Sequence, residues 1–277
     1  MARGDSFRIV PLGDIHLGAA ACDEERLKRT IDSIKNDPAT YWIGMGDYCD
    51  FINRNDKRFN VATLADWVIT KSALGDLAGA QKDRFLEMIA PIAPKCLALL
   101  EGNHETAIWH HNERNIYSDI VQGVKGAAQM NPEAPLALGY NGWITLVFYV
   151  GENVQSGGVE TYRFNLHHGF TGGRLAGAKA LNIQKWLWTH DADLVIFGHS
   201  HNTSIQIEAV ERLDREGNVS YQKRIGCFSG TYLRTSADGA DTYSEIKGYL
   251  PMPTSGVEIM IRPKAAQRED AIRVISV

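Results

Sequence analysis

Leu194-Val195-Ile196-Phe197-Gly198-His199-Ser200-His201 is the stretch from which the rest of the chain is read. Four apolar residues in a row, closed by a glycine, predict a short strand buried on both faces. The turn that ends it carries two imidazoles. Imidazoles at a strand end fill a core poorly and hold a divalent metal well, because neutral imidazole is the commonest protein ligand for one. By itself the turn reads equally well as a polar surface bend. The other strand ends decide between the two readings.

Upstream the same pattern recurs. Residues 7–12 form an apolar run ending in Gly13-Asp14-Ile15-His16-Leu17-Gly18. Residues 23–36 carry Leu27, Ile31 and Ile34 at helical spacing, with acids at the start and Asp37-Pro38 as a stop. Residues 41–45 are a second strand, running into Gly46-Asp47-Tyr48-Cys49-Asp50, and residues 95–100 a third, closing in Glu101-Gly102-Asn103-His104-Glu105. Strand, helix, strand is the grammar of a parallel βαβ unit. Between them, 51–60 reads as a polar loop, 62–90 as mostly helix broken near Gly75 and Gly79, and 106–122 as helix.

Beyond an irregular stretch at 123–142 the character changes. Residues 143–150 and 159–166 predict a hairpin around Ser156-Gly157-Gly158, and the second strand ends in His167-His168-Gly169. Helix returns at 174–189. A further hairpin covers 203–212 and 219–227, and closing strands follow at 257–261 and 272–277. The stretch 229–256 is long for a loop without a function. Early βα alternation and late hairpins predict an α/β (α+β) chain: two sheets packed face to face with helices outside. No repeat or linker divides it, so residues 1–277 read as one domain.

Bulk chemistry narrows the classes of function. The chain is 44% hydrophobic and 22% charged, with net charge −4 and a pI near 6.1, which gives no help to a protein that would track a nucleic-acid backbone by charge. The first residues lack an apolar signal core, and no apolar run is long enough for a bilayer, so a cytoplasmic protein off the membrane is expected. Cys22, Cys49, Cys96 and Cys227 are scattered without a C-x-x-C pair, which suits a reducing compartment.

In open α/β sheets, ligands bind beyond the carboxyl ends of the strands. Asp14, His16, Asp47, Asn103, His104, His168, His199 and His201 all sit there and are expected to converge. Five of the nine histidines fall in these turns, too many for structural coincidence. Carboxylate, imidazole and amide oxygen without thiolate suit Mn²⁺, Fe²⁺, Zn²⁺ or Ni²⁺. The set exceeds what one tetrahedral ion needs, and two ions about 3.5–4 Å apart sharing a carboxylate would use it.

Gly-Asp-Ile-His at 13–16, Gly-Asp at 46–47, Gly-Asn-His-Glu at 102–105, His168-Gly169 and Gly-His-Ser-His at 198–201 together resemble, in order, the motifs of the calcineurin-like metallophosphoesterase superfamily. The resemblance implies a four-layer β-sandwich flanked by helices and two divalent ions, Mn²⁺ first among the candidates. It implies that Asp14, His16 and His201 bind one ion, Asn103, His168 and His199 the other, and that Asp47 bridges them. His104 would not be a ligand; it would protonate the leaving oxygen or stabilise the transition state. Of the neighbours His167 and His168, the family pattern points to the one directly before the glycine.

The implied reaction is in-line attack on a phosphate ester, most readily a diester, by hydroxide held between the ions. The alternatives are a nuclease of the repair-exonuclease branch, which the acidic balance disfavours, a phosphomonoesterase or phosphoprotein phosphatase, and a non-catalytic scaffold on the same fold. Arg174 and Asp50 are candidate substrate contacts. Arg54, Lys57 and Arg58 read as a solvated face, His110 and His111 as surface residues, and His190 as a helix-end residue. Oligomeric state carries no signal in the sequence.

Overall fold

The site is positioned by strands that begin with β1 (Phe7–Leu12), β2 (Thr40–Gly44) and β3 (Cys96–Leu99), which lie side by side in parallel with Ile9 opposite Tyr41 and Ile43 opposite Ala98. Helix α1 (Glu24–Asn36) makes the first crossover. Asp23 caps it by accepting the Arg26 N–H at 3.0 Å, and Glu24 and Glu25 in its first turn suit the helix dipole. The computed structural model describes residues 5–277 except 53, 55, 71, 151–157, 170–175, 237–241, 243, 244, 246, 247 and 249.

The helices α2 (Leu77–Ile89), α3 (Asn103–Asn112) and α4 (Ile116–Ala127) complete the first half. The second half holds β4 (Asn141–Val150), β5 (Gly158–His167), α5 (Ala176–Thr189), β6 (Leu194–Phe197), β7 (Thr203–Leu213) and β8 (Val219–Thr231). Strands β4 and β5 pair antiparallel as expected, the turn expected at Ser156-Gly157 lying outside the described residues; β5, β6 and β8 run parallel, and β7 returns antiparallel on β8. Closing strands β9 (Ser255–Ile261) and β10 (Ile272–Ser276) go back to the first sheet, β9 lying between β1 and β10.

Alternation along the strands assigns each residue to a layer. Ile9, Ile43 and Ala98 point inward and share one core with Phe164, Leu166, Leu194, Ile196 and Ile225 of the other sheet. Their neighbours Val10, Trp42 and Leu99 point outward into a core with Leu27 and Ile31 of α1, Phe85 of α2 and Ile120 of α4. On the far side Val195 and Phe197 meet Ile183 and Leu187 of α5. Helix, sheet, sheet, helix is the expected four-layer order. The sheets are also joined by hydrogen bonds into a ten-stranded whole, because the end of β8 pairs Gly230 with Gly256 and Thr231 with Ser255 of β9. Gly230 has φ +94°, and a Cβ there would lie 2.1 Å from the Ser255 carbonyl oxygen.

Three expectations need correction. Residues 62–75 are not helix but a chain of short 3-10 turns at Val61–Thr63, Asp66–Val68 and Ala73–Gly75. Local side chains compete for the backbone there: Asn60 accepts the Ala62 N–H at 3.0 Å and Thr70 the Ala73 N–H at 3.3 Å. Gly79 does not break α2; it lies in its first turn and donates to Asp76 at 2.9 Å. The helix expected over 106–122 is two helices, stopped at Glu113 in left-handed conformation (φ 52°) and restarted by Asn115, which accepts the Ser118 N–H. All four cysteines are buried free thiols. No helix among the described residues is long and apolar enough to cross a membrane.

Candidate metal centre

The parallel strands of both sheets deliver their carboxyl ends to one rim, and the turns beyond β1, β2 and β6 are bent by unusual backbone. Asp14, His16, Asp47, His199 and His201 all adopt left-handed φ between 47° and 62°. Each such residue costs about 1–3 kcal/mol and persists only where the surroundings over-determine it. Here the turn after β1 is laced to the turn after β2: Asp14 N–H donates to Gly46 O at 3.0 Å, Ile15 N–H to Asp47 O at 2.9 Å and Leu17 N–H to Tyr48 O at 3.2 Å.

The two carboxylates are held alike. Asp14 Oδ2 accepts the His199 N–H at 2.8 Å, and Asp47 Oδ1 accepts the His104 N–H at 2.9 Å. Each thereby turns its second oxygen into the cluster. Asp14 Oδ1 faces His201 Nε2 at 3.4 Å, and Asp47 Oδ2 faces His168 Nε2 at 3.4 Å and His16 Nε2 at 3.9 Å. His16 Nε2 and His201 Nε2 stand 3.2 Å apart, and Asn103 Oδ1 lies 3.1 Å from His168 Nε2. His168 donates Nδ1–H to the Met45 carbonyl at 2.7 Å, which leaves Nε2 as the ring atom toward the cluster.

These side chains form three groups whose donor atoms lie within 4.8 Å of one another: Asp14, His16 and His201; Asp47, His168 and His199; and His16, Asp47 and His104. The chemistry of the groups fits cations. Asp14 Oδ1 and His199 Nδ1 are buried with no hydrogen-bond partner, a costly arrangement that a bound cation would relieve, and His16 Nδ1, on the Asp50 side of its ring, is unpaired too. Burial pushes the Asp14 carboxyl well above its usual range, and the Asp47 charge adds to this. Burial also opposes ionisation of Asp47, but the His168, His104 and His16 rings outweigh it and hold that carboxyl well below its usual range. Burial disfavours charge on His168, yet Asp47 and Asp14 lift it to about 10. Burial depresses His199 to about 4, with His168 beside it, and lowers His16 and His201 as well.

His104 opens α3 beside the cluster. Its Nδ1 meets the Asp50 carbonyl oxygen, its Nε2 stands 3.4 Å from Arg58 Nη1, and its ring packs edge-on against His16 at 4.6 Å. The Asp50 carboxylate reaches within 3.7 Å of His16 Nδ1. His167 faces away: it accepts the Gly169 N–H at 2.7 Å and packs on Trp186 and Phe197, so His168 is the member of the pair in the cluster. His110 is exposed and His190 stacks on Trp186 at 4.3 Å. Arg174 lies outside the described residues.

Three residues at the site carry no role in the sequence reading. Glu105 accepts N–H groups from Asp47 (2.9 Å), Tyr48 (2.9 Å) and Gly102 (2.8 Å), tying the β2 turn to the start of α3. Burial and the Asp47 charge push its carboxyl up to about 7 against the pull of those donors. An acid three residues after Gly102 is a capping spacing, which is a usable signal. Thr231 donates its hydroxyl to Asp14 O at 2.9 Å. Arg58, assigned by sequence to a solvated face with Arg54 and Lys57, turns inward while the other two stay exposed. Nothing local in the sequence marks it.

A family model described as calcineurin-like phosphoesterase matches residues 7–203. No curated protein matches the chain. Among solved structures, Vps29 of Chaetomium thermophilum aligns over 98% of this chain and 95% of its own at 14% identity, with a TM-score of 0.34. The NAD nucleotidase NadN of Haemophilus influenzae aligns over 98% of this chain and 49% of its own at 9% identity, with a TM-score of 0.39.

Proposed function

The chain belongs to the calcineurin-like phosphoesterase family, and from that premise we propose that it hydrolyses phosphodiesters with two divalent ions, Mn²⁺ foremost. Asp14, His16 and His201 would hold one ion, Asn103, His168 and His199 the other, and Asp47 would serve both. When bound, the ions supply Lewis-acid charge at the phosphoryl oxygens and bring the pKa of water toward neutrality. The carrying observation is the matched pair of carboxylates, each anchored by one oxygen to a backbone N–H and aiming the other at imidazole nitrogens.

The protein's own groups do the remaining work. The Asp50 carbonyl fixes the His104 tautomer with the proton on Nδ1 and leaves Nε2 as the unprotonated nitrogen, beside Arg58. His104 would then protonate the leaving oxygen or, with Arg58 beside it, stabilise the transition state. Glu105 ties the Asp47 turn to Gly102, the residue before Asn103. The cation beside His104 is Arg58, already paired with Asp56 at 2.7 Å. That compensated charge favours a monoanionic diester over a dianionic monoester.

Turnover of bis(p-nitrophenyl) phosphate and p-nitrophenyl phosphate, each with Mn²⁺ and with excess chelator, tests the proposal. Faster, chelator-sensitive turnover of the diester is expected. Turnover of neither ester rejects the enzyme, and faster monoester cleavage rejects the diester preference. A labelled oligonucleotide in the same assay separates a nuclease from a small-molecule diesterase.

A further inference from the structure

Away from the metal centre, and sharing no residue with it, a cleft of about 530 Å³ opens between β7, the outer strand of one sheet, and β10, the outer strand of the other. Its floor is the edge of the inner core. Register sets Ile207 opposite Ile225 and Ile205 opposite Cys227 on one face of the β7–β8 ribbon, while Ile272 of β10 lies opposite Ile261. Ile225, Cys227, Ile261 and Ile272 all belong to the core between the sheets. Ile225 and Ile272 bring the edge of that core to the cleft wall while staying buried themselves, and Ile207 stands exposed above them.

The rim is cationic. Lys223, Arg262 and Arg273 line the cleft against a single carboxylate, Asp270. Among the described residues none of the three cations enters a side-chain hydrogen bond or ion pair, and neither does Asp270, whereas Arg8, Arg163, Arg212, Arg224 and Arg268 all do. Three free cations facing one carboxylate, on a chain whose net charge is −4, form a local field of the opposite sign to the whole. The guanidinium forks have donors to spare and match a carboxylate bidentately. The lining has isoleucine, valine and alanine but no aromatic ring, so it offers nothing for a flat base to stack on and a continuous aliphatic wall for an alkyl chain.

We propose that this cleft binds an aliphatic carboxylate, a free fatty-acid anion of medium chain length, with its chain along Ile205, Ile207, Ile225 and Ile272 and its head group at Arg262 and Arg273. A concave cleft between two sheet edges suits a single chain in solution better than the surface of a bilayer.

The test is a titration of the full chain, labelled at isoleucine methyl groups, with decanoate below its micelle concentration. Saturable shifts confined to the methyls of those four isoleucines are expected. Arg262→Glu and Arg273→Glu, both at exposed positions, should each weaken binding about tenfold, as should replacing decanoate by uncharged 1-decanol. An unchanged methyl spectrum elsewhere verifies that the variants fold. The proposal is overturned by shifts that do not saturate or that fall on other isoleucines, by equal affinity for 1-decanol, by unaltered affinity in both variants, or by a response only to anionic vesicles. Phosphoesterase activity plays no part in the readout, so the two proposals stand or fall separately.

Discussion

Asp47 Oδ2 reaches His168 on one side and His16 on the other, so its charge is felt across the whole cluster. Asp47→Asn should therefore abolish loading of both ions, read as metal content after Mn²⁺ incubation. His104→Ala should keep the metal and slow turnover about 10²–10⁴-fold, the range for loss of a general acid. Equal loss of metal in the two variants would refute the role given to His104. Protons follow from the same charges. In the metal-free protein His168, raised to about 10, is charged at pH 7, and a ring must be neutral to bind metal. Loading at pH 7 should release at least one proton, and affinity should rise with pH up to about 10, where the proton is already gone. Calorimetry in buffers of different ionisation enthalpy measures the release, and a value of zero contradicts a charged His168. At this scale the sequence was most informative where chemistry is dense: Asp and His beside glycine at strand ends have few structural uses. Arg58 reads in sequence as a solvated charge because its meaning depends on His104, reached only through the folded loop.

Elements carry a different kind of information. Short apolar runs bounded by glycine were readable as strands because a buried parallel strand tolerates little else. The segment 62–75 was not, because leucine and valine at helical spacing also suit consecutive 3-10 turns, and Asn60 and Thr70 tip the balance through bonds that periodicity does not register. Close approaches between elements were equally hidden. A Cβ on Gly102 would stand 2.2 Å from Asp47 Oδ1, so Gly102→Ala must push α3 off the β2 turn and should cost metal affinity while leaving the far-ultraviolet circular dichroism unchanged. On the opposite face a Cβ on Gly226 would stand 2.2 Å from Ile183 Cγ2 of α5. Gly226→Val should lower stability by about 1–3 kcal/mol, the usual cost of overpacking, as an earlier urea midpoint with unaltered metal content.

Across the whole molecule, the two-sheet reading followed from the switch between βα alternation and hairpins. The seam at Gly230 and Gly256 did not, since it rests on backbone contact and leaves no side-chain pattern. Because ions bind only the folded arrangement, chelation should lower the melting temperature, and each site should contribute about 2.7 kcal/mol when free metal is about 100 times Kd. A melting temperature indifferent to metal would contradict the proposed ligand set. Asp14, His16, Asp47 and Asn103 come from one sheet, and His168, His199 and His201 from the other. Each proposed ion would take ligands from both. A nascent chain halted after β5 would carry Asp14, His16, Asp47 and Asn103 but none of the three histidines from the second sheet, so neither proposed ligand set would be complete until synthesis had passed His201 and that sheet had docked. Metal uptake would then mark the end of maturation, a rivet set after the plates are aligned.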